Sequence, residues 1–301
     1  MKGKYQNSSV WVKLLQWLGV TALLTIVAMV LWTLTTTDQH SIAALKWLQF
    51  VQTMATFLLP PLVCAYLWNN RPAQWLGLTP KHLSWTVWLG AVVLIMVALP
   101  AINLMADWNS RMVLPESLAG MEAWMKAQEE AAMALTQQFL QGTTVWTLLG
   151  NIVLMALLPA LAEELTFRGV LLGLMDNSRQ SAQPNLGRRQ HIAIWLTAII
   201  FSAIHMQFYG FVPRMVLGAL FGYALYWTGT LWIPILMHFT NNAVSVIAYW
   251  CIYRKGIDPD TLDSFGTGDT AWVGYLSLLL CAAIITAVVK MKPAKHDARG
   301  I

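Results

Sequence analysis

Residues 145–162 read VWTLLGNIVLMALLPALA, and the charged segment EELTFR follows directly at residues 163–168. The apolar part is long enough to enter, as a helix, a hydrocarbon core that is about 30 Å thick. A charged side chain at the bilayer centre costs about 2.5–3.5 kcal/mol on insertion scales, so charges placed there indicate function by default. This stretch therefore predicts a membrane helix that carries ionisable groups.

Two more polar clusters interrupt apolar segments further along the chain. The sequence FSAIH occupies residues 201–205, and HFTNN occupies residues 238–242. Together with residues 163–168 they place two carboxylates, an arginine and two histidines in three separate apolar segments. Because such groups are costly in lipid, we expect them to face the interior of a helix bundle.

The composition of the whole chain is that of a membrane protein. Its 301 residues are 57% hydrophobic and only 11% charged, whereas a soluble domain carries about 25% charged residues. Apolar segments recur at residues 12–36, 43–68, 84–105, 145–174, 192–210, 213–228, 231–252 and 271–290. They predict an all-α fold, a polytopic membrane helix bundle of about eight transmembrane helices, with a single membrane domain over residues 1–301.

The basic residues fall mostly on one side of this predicted bundle. If every segment crosses once, that side receives Lys2, Lys4, Arg71, Lys81, Arg179, Arg188, Arg189, Lys290, Lys292, Lys295 and Arg299. Lysine and arginine mark the cytoplasmic side, so we expect both termini in the cytoplasm, and the compact, loop-poor chain indicates a bacterial inner membrane. The net charge of +5 lies in loops and chain ends rather than on a soluble basic stripe, which argues against a nucleic-acid partner.

The longest segment outside the predicted spans, residues 106–144, falls on the opposite side. Apolar residues recur in it at helical spacing: Leu118, Met121, Met125, Ala132, Leu135 and Phe139. This pattern predicts an extracytoplasmic amphipathic insertion that lies on the outer surface or caps the bundle.

The first cluster contains one acid with a local partner and one without. Glu164 and Arg168 stand four residues apart, so they share a helix face and can form an ion pair. Glu163 lies about 100° further round the helix and has no local counter-charge. An unpaired buried carboxylate gains proton affinity, which suits a general base that acts on water.

The other two clusters repeat the same spacing with histidine. Phe201 and His205 are four residues apart, as are His238 and Asn242. The pair of His238 and Asn242 presents two side-chain donors on one helix face, the arrangement that holds a developing oxyanion. Taken singly, these groups also fit helix–helix hydrogen bonds or a structural ion pair.

A base, a histidine that orients water and a two-donor pocket are the parts needed to hydrolyse an amide directly. The sequence therefore predicts a residue set that converges on one pocket inside the bundle. His238 lies about seven residues inside its apolar segment, close to the cytoplasmic end, which predicts access to the pocket from that side.

The three clusters resemble the CAAX-processing and bacteriocin-processing family of intramembrane proteases, which includes the type II CAAX prenyl endopeptidases. The family signature is Glu-Glu-x-x-x-Arg, Phe-x-x-x-His and His-x-x-x-Asn, and residues 163–168, 201–205 and 238–242 match it in order and spacing. The resemblance covers roughly residues 145–250, which become the expected catalytic core.

Carried over by residue, the resemblance implies that Glu163 activates the attacking water with help from His205. It also implies that His238 and Asn242 stabilise the oxyanion, while Glu164, Arg168 and Phe201 support the site. The substrate would be a membrane-associated peptide, prenylated or secreted. Glu163, His205 and His238 are also a two-histidine, one-carboxylate set of the kind that binds catalytic zinc, so metal dependence stays open.

Two alternatives from other functional classes remain at the level of sequence. A non-catalytic bacteriocin-immunity or scaffold protein would keep the fold and bind a partner peptide. A proton-coupled transporter would use the buried glutamates and histidines as a relay. The pair of His238 and Asn242 favours the peptidase, because a simple relay needs no oxyanion donors.

Overall fold

The computed structural model describes residues 1–176, 178, 186–258 and 260–290, so Arg179, Lys292, Lys295 and Arg299 lie outside the described residues. Within these ranges the chain forms long helices and no strand, and the predicted all-α fold is confirmed. The helices are α1 Val10–Thr35, α2 Ile42–Trp68, α3 Trp85–Ser110, α4 Ala119–Leu140, α5 Val145–Met175, α6 Arg188–Ala203, α7 Phe211–Thr228, α8 Trp232–Lys255 and α9 Ala271–Lys290.

Among the described residues, seven helices are long and apolar enough to cross a membrane, and the chain is a multi-pass membrane protein. They are α1, α2, α3, α5, α7, α8 and α9. The remaining predicted segment, residues 192–210, contains the end of α6, which has 16 residues and begins at two arginines. At about 1.5 Å per residue this helix is roughly 24 Å long, shorter than a typical crossing.

Short polar residues set the ends of these helices. Ser9, Ser41, Ser84 and Thr144 precede α1, α2, α3 and α5, and each accepts a hydrogen bond from a backbone N–H of the first turn. These N-caps satisfy donors that have no partner within the helix. Gly229 ends α7 in the left-handed conformation at φ 67°, where a side chain would be strained.

Helix α5 lies at the centre of the bundle, between α2 and α8. It is not uniformly α-helical, because Ile152–Leu157 and Leu165–Leu171 are π-helical turns. All seven residues of the second turn are buried, and Thr166 donates a hydrogen bond to the carbonyl of Phe57 in α2 at 2.7 Å. Such wide turns are frequent at functional sites, and here they flank the two glutamates.

Helices α6 and α7 form a closely packed antiparallel pair. A Cβ atom built on Gly222 would lie 3.0 Å from Cγ2 of Ile194, and one on Gly218 would lie 3.1 Å from Cδ1 of Phe201. Small residues four apart let membrane helices approach closely. The short α6 is therefore held in the bundle by its contacts with α7. These contacts place the C-terminal end of α6 beside α5.

The segment 106–144 divides into two parts. Its first residues complete α3, and its greater part forms α4, which is largely exposed but buries Phe139 and Leu140. The carbonyl of Phe139 accepts hydrogen bonds from Lys46 of α2 at 3.1 Å and Asn151 of α5 at 2.8 Å. These donors hold the C-terminal end of α4 against the bundle.

Candidate active site

Glu164 joins two helices through a single oxygen. Its side chain is 0% exposed, and Oε1 accepts a hydrogen bond from Nη1 of Arg168 at 2.7 Å. The same Oε1 lies 2.9 Å from Nδ1 of His238 in α8. The expected i, i+4 ion pair is thus present, and the carboxylate also holds a histidine that the local sequence could not assign to it.

Arg168 extends the connection to α7 and to two aromatic rings. Its Nη2 donates to the carbonyl of Gly218 at 2.6 Å. The guanidinium carbon lies 4.7 Å from the ring centroid of Phe201 and 5.4 Å from that of Phe221. Because Arg168 is enclosed by a carboxylate, a carbonyl and two aromatic faces, its buried charge is well compensated.

In both histidine rings, Nδ1 makes a hydrogen bond to a neighbouring group and is turned away from the cavity. Nδ1 of His205 lies 2.7 Å from the carbonyl oxygen of Phe201, and Nδ1 of His238 lies 2.9 Å from Glu164. A carbonyl, and a carboxylate paired with Arg168, can only accept hydrogen bonds, so each Nδ1 carries a proton. Nε2 is therefore the atom that each ring offers to other groups.

Glu163 lies between these two Nε2 atoms. Its Oε2 is 3.8 Å from Nε2 of His205 and 3.8 Å from Nε2 of His238. These separations are too long for direct hydrogen bonds, and each is short enough for one water molecule, about 2.8 Å from both atoms, to bridge it. The Glu163 side chain is 15% exposed, unlike that of Glu164.

Asn242 reaches the same cavity from α8. Its Oδ1 accepts a hydrogen bond from Nδ2 of Asn241 at 3.2 Å. This contact orients the amide and leaves Nδ2 of Asn242 as the group that can donate. Glu163, His205, His238 and Asn242 all line one cavity of about 460 Å³, together with Phe201.

The cavity does not extend in the direction expected from the sequence. From Glu163 it runs past Pro159 and Met155 toward the beginning of α5, and past Asn242 toward the end of α8. Thr136 and Leu140 of α4 also line it. The expectation of access from the opposite end rested on the position of His238 along its helix, which fixes a depth but not the side on which neighbouring helices separate.

Several side chains at the site were not singled out from the sequence. Phe221 stacks on the His238 ring with centroids 5.3 Å apart, and Arg214 and Asn241 line the cavity. Arg214 carried a usable signal, because it is a charged residue within an apolar segment. Phe221 carried none, because an aromatic residue in an apolar helix is ordinary.

The geometry of the three residues proposed as metal ligands can be compared with known zinc sites. With zinc bonds of about 2.0–2.1 Å, the ligand atoms of a tetrahedral site lie about 3.3 Å apart. The two Nε2–Oε2 separations of 3.8 Å are wider, and no group of three or more His, Cys, Asp or Glu in the described part of the chain is arranged to hold a metal ion. Glu163, His205 and His238 thus do not fit a zinc site of usual dimensions, and the chemistry derived from them is that of carboxylate and imidazole.

Parts of this chain are similar to known proteins. A stretch of 98 residues is 32% identical to "Uncharacterized protein YpbD" of Bacillus subtilis (strain 168) and covers 31% of this chain. The chain spans only 43% of that relative's length. No solved structure matches the chain. Residues 145–244, which contain all three polar clusters, match the family described as type II CAAX prenyl endopeptidase Rce1-like.

Proposed function

We propose that the chain is an intramembrane endopeptidase that hydrolyses a peptide bond in a membrane-associated substrate. The observation that carries the proposal is the meeting of Glu163 with Nε2 of His205 and of His238 in one cavity inside the bundle. The family that residues 145–244 match is named for endopeptidase activity, which supports the same conclusion.

In the proposed reaction, a water molecule binds between Oε2 of Glu163 and Nε2 of His205. Glu163 takes a proton from this water as its oxygen attacks the carbonyl carbon of the scissile bond. The proton then passes from Glu163 to the leaving amine. Because the base is both shielded from bulk solvent and adjacent to an imidazole, the water is oriented before it reacts.

The charge that develops on the carbonyl oxygen needs donors on the other side of the cavity. Nδ2 of Asn242 is one such donor. His238 presents Nε2, which accepts a hydrogen bond when the ring is neutral and donates one when the ring carries a second proton. Glu164, Arg168 and Phe201 act as positioning residues, since they contact His238, His205 or each other rather than the substrate.

We further propose that α6 crosses the membrane beside α7 as an eighth span, so that both termini are cytoplasmic, in a bacterial inner membrane, with residues 106–144 on the outer side. Residues 145–250 would supply the catalytic groups, while Ile102 and the α4 residues Thr136 and Leu140 complete the cavity wall. With this orientation the cavity extends toward the outer face, which favours substrates that have crossed or that span the membrane.

Glu163→Gln tests the peptidase directly. The amide keeps the shape of the carboxylate but cannot take a proton, so we expect cleavage to fall by about 10²–10⁴-fold. The measurement is release of fragments from a panel of lipid-anchored peptides, prenylated and unprenylated, by the purified chain in liposomes, with and without chelator. Glu130→Gln, on the exposed part of α4, is the matched control and should cleave as the wild type does.

The outcomes of this experiment separate the alternatives. Wild-type cleavage that survives in Glu163→Gln contradicts the proposed base. A biological function that persists in that variant without cleavage would indicate a scaffold or immunity protein, and substrate-dependent proton flux would indicate a transporter. Loss of activity with chelator would show a metal requirement.

A further inference from the structure

A second arginine, Arg214, lies in the first turn of α7 and lines the cavity that holds Glu163 and His205. Its Nη1 donates to the main-chain carbonyl of Gln207 at 3.3 Å, and its Nη2 donates to Oε1 of the same residue at 2.7 Å. Both acceptors are uncharged. They orient the guanidinium group without neutralising it.

The acids near Arg214 do not pair with it. Glu163 and Glu129 are close enough to interact with it electrostatically. However, Oε2 of Glu129 accepts a hydrogen bond from the backbone N–H of Tyr209 at 3.2 Å. Within the described ranges, no ion pair of 4.0 Å or less joins Arg214 to a carboxylate. Arg168, by contrast, has Glu164 at 2.7 Å.

The guanidinium group retains the donors that a carboxylate requires. An arginine side chain has five N–H donors in a fixed planar fork, and Gln207 accepts from two of them. The remaining three exceed the two that a bidentate carboxylate accepts. Gly210 also leaves space beside the fork, because a Cβ atom there would lie 3.2 Å from Nη2 of Arg214.

We propose that Arg214 is a specificity-determining residue that binds a carboxylate of the peptide substrate, either the C-terminal α-carboxylate or an acidic side chain. A peptide anchored there has its neighbouring peptide bonds beside Glu163, since both residues line one cavity of about 460 Å³. The carboxylate would thereby select which bond is cut. This inference rests on the proposed function and narrows it to substrates that carry a negative charge close to the scissile bond.

The test measures binding separately from cleavage. Three pools of lipid-anchored random peptides are offered to the full chain in liposomes: free C-terminal carboxylate without Asp or Glu, C-terminal amide without Asp or Glu, and C-terminal amide with Asp and Glu. Retention of each pool is measured by mass spectrometry on Glu163→Gln protein, which is expected to cleave the peptides far more slowly than the wild type. The same measurement is made on Glu163→Gln combined with Arg214→Gln, Arg214→Lys or Arg111→Gln.

A charge-assisted hydrogen bond is worth enough to favour an anionic pool by about 10-fold or more over the neutral pool. We expect that preference to disappear in Arg214→Gln and to weaken in Arg214→Lys, which keeps the charge but lacks the fork. Arg111→Gln should leave the preference for the anionic pool unchanged, since Arg111 pairs with Asp107 and does not line this cavity. The favoured pool identifies the source of the carboxylate.

Three outcomes would overturn the assignment of Arg214. They are equal retention of all three pools, no retention of any pool, and a preference for an anionic pool that survives Arg214→Gln. Failure of the proposed function is a different result, because it appears as absence of cleavage by the wild-type chain whatever the binding preference. A purely structural Arg214 would change the retention of charged and neutral pools alike.

Discussion

Glu163 and Glu164 are neighbours in the sequence but lie in different surroundings. Glu164 is fully buried and is held by Arg168 and His238. Glu163 instead faces the cavity, and its Oε2 lies 3.8 Å from Nε2 of His205 and of His238, too far for a direct hydrogen bond to either ring. A rotation of about 100° along the helix separates these environments. One acid is thus fixed as a positioning group, and the other is left able to exchange a proton with water.

Replacing Glu164 should destabilise the bundle as well as the site. Glu164→Gln would leave Arg168 as a buried cation without its carboxylate, a change that costs about 3–5 kcal/mol in comparable buried pairs. We expect a clear fall in the midpoint of thermal unfolding in detergent, together with loss of cleavage. Asp107→Asn is the control, because Asp107 pairs with Arg111, whose side chain is 71% exposed, and it should leave the midpoint nearly unchanged. An unchanged midpoint in Glu164→Gln would mean that the pair contributes nothing to folding.

Asp176 lies just beyond the end of α5, and its environment is expected to make the free energy of unfolding depend on pH. Its burial alone would raise the pKa, but hydrogen bonds from Ser178 and from the hydroxyl of Tyr226, at 2.7 Å each, lower the pKa below its ordinary value of 3.8. The ionised group therefore stabilises the fold above that value, and this contribution is lost as the pH falls through the lower folded-state pKa.

The unfolding midpoints of the wild type and Asp176→Asn, measured in detergent from roughly pH 7 down to pH 3, check this expectation. The wild type should be the more stable protein near neutral pH, and the difference should shrink toward the acidic end. A constant difference across the range would show that the carboxylate charge has no part in it.

At the scale of helices, the approach of α6 to α7 decides where His205 lies. The pair is drawn together at Gly218 and Gly222, and α6 ends two residues before His205. The carbonyl of Gly218 also binds Arg168 of α5. Contacts of small residues between two helices thus fix the distance from His205 to Glu163.

A side chain at Gly222 should separate the two helices. Gly222→Val would place its Cβ 3.0 Å from Ile194 and its methyl groups closer still, an overpacking that costs about 1–3 kcal/mol. We expect a lower unfolding midpoint and weaker cleavage as His205 moves from Glu163. Gly90→Val in α3 is the matched control, because a Cβ there meets nothing within 4 Å. If both variants behave alike, close packing of α6 on α7 does not position the site.

At the scale of the whole molecule, the cavity lies on the α4 side of Glu163, His205 and His238. Helix α4 is tied to the bundle by Lys46 and Asn151 at its C-terminal end, and the turn between α6 and α7 contacts it through Glu129. Under the proposed orientation, this side faces away from the cytoplasm. The two arginines at the start of α6 lie at the opposite, cytoplasmic end of the bundle.

Thiol labelling in intact cells tests that arrangement. In a Cys251→Ser background, which removes the exposed native thiol, a membrane-impermeant reagent added outside should modify Thr136→Cys and slow cleavage. Arg188→Cys should react only after the membrane is permeabilised. Labelling of Arg188→Cys in intact cells, with Thr136→Cys protected, would reverse the orientation.

Local pattern was enough to predict the membrane helices, because hydropathy and helical spacing depend on residues close in sequence. The same locality predicts the pairing of Glu164 with Arg168 and places each polar cluster on one helix face. The π-helical turns of α5 were beyond such reasoning, since nothing in the composition of residues 152–157 or 165–171 distinguishes them from α-helix.

The amino-acid sequence was sufficient to predict a helical membrane protein with three polar clusters, and it identified Glu163, His205, His238 and Asn242, which line one cavity. The packing of the helices was needed to show that His238 donates to Glu164 across 74 positions and that both histidines present Nε2. It was also needed to show that the cavity extends toward α4 and that Arg214 joins it with no carboxylate partner among the described residues. The physical reason is that these features depend on how distant helices pack against one another. Helical periodicity fixes the direction of a side chain on its own helix but not the group that it meets there.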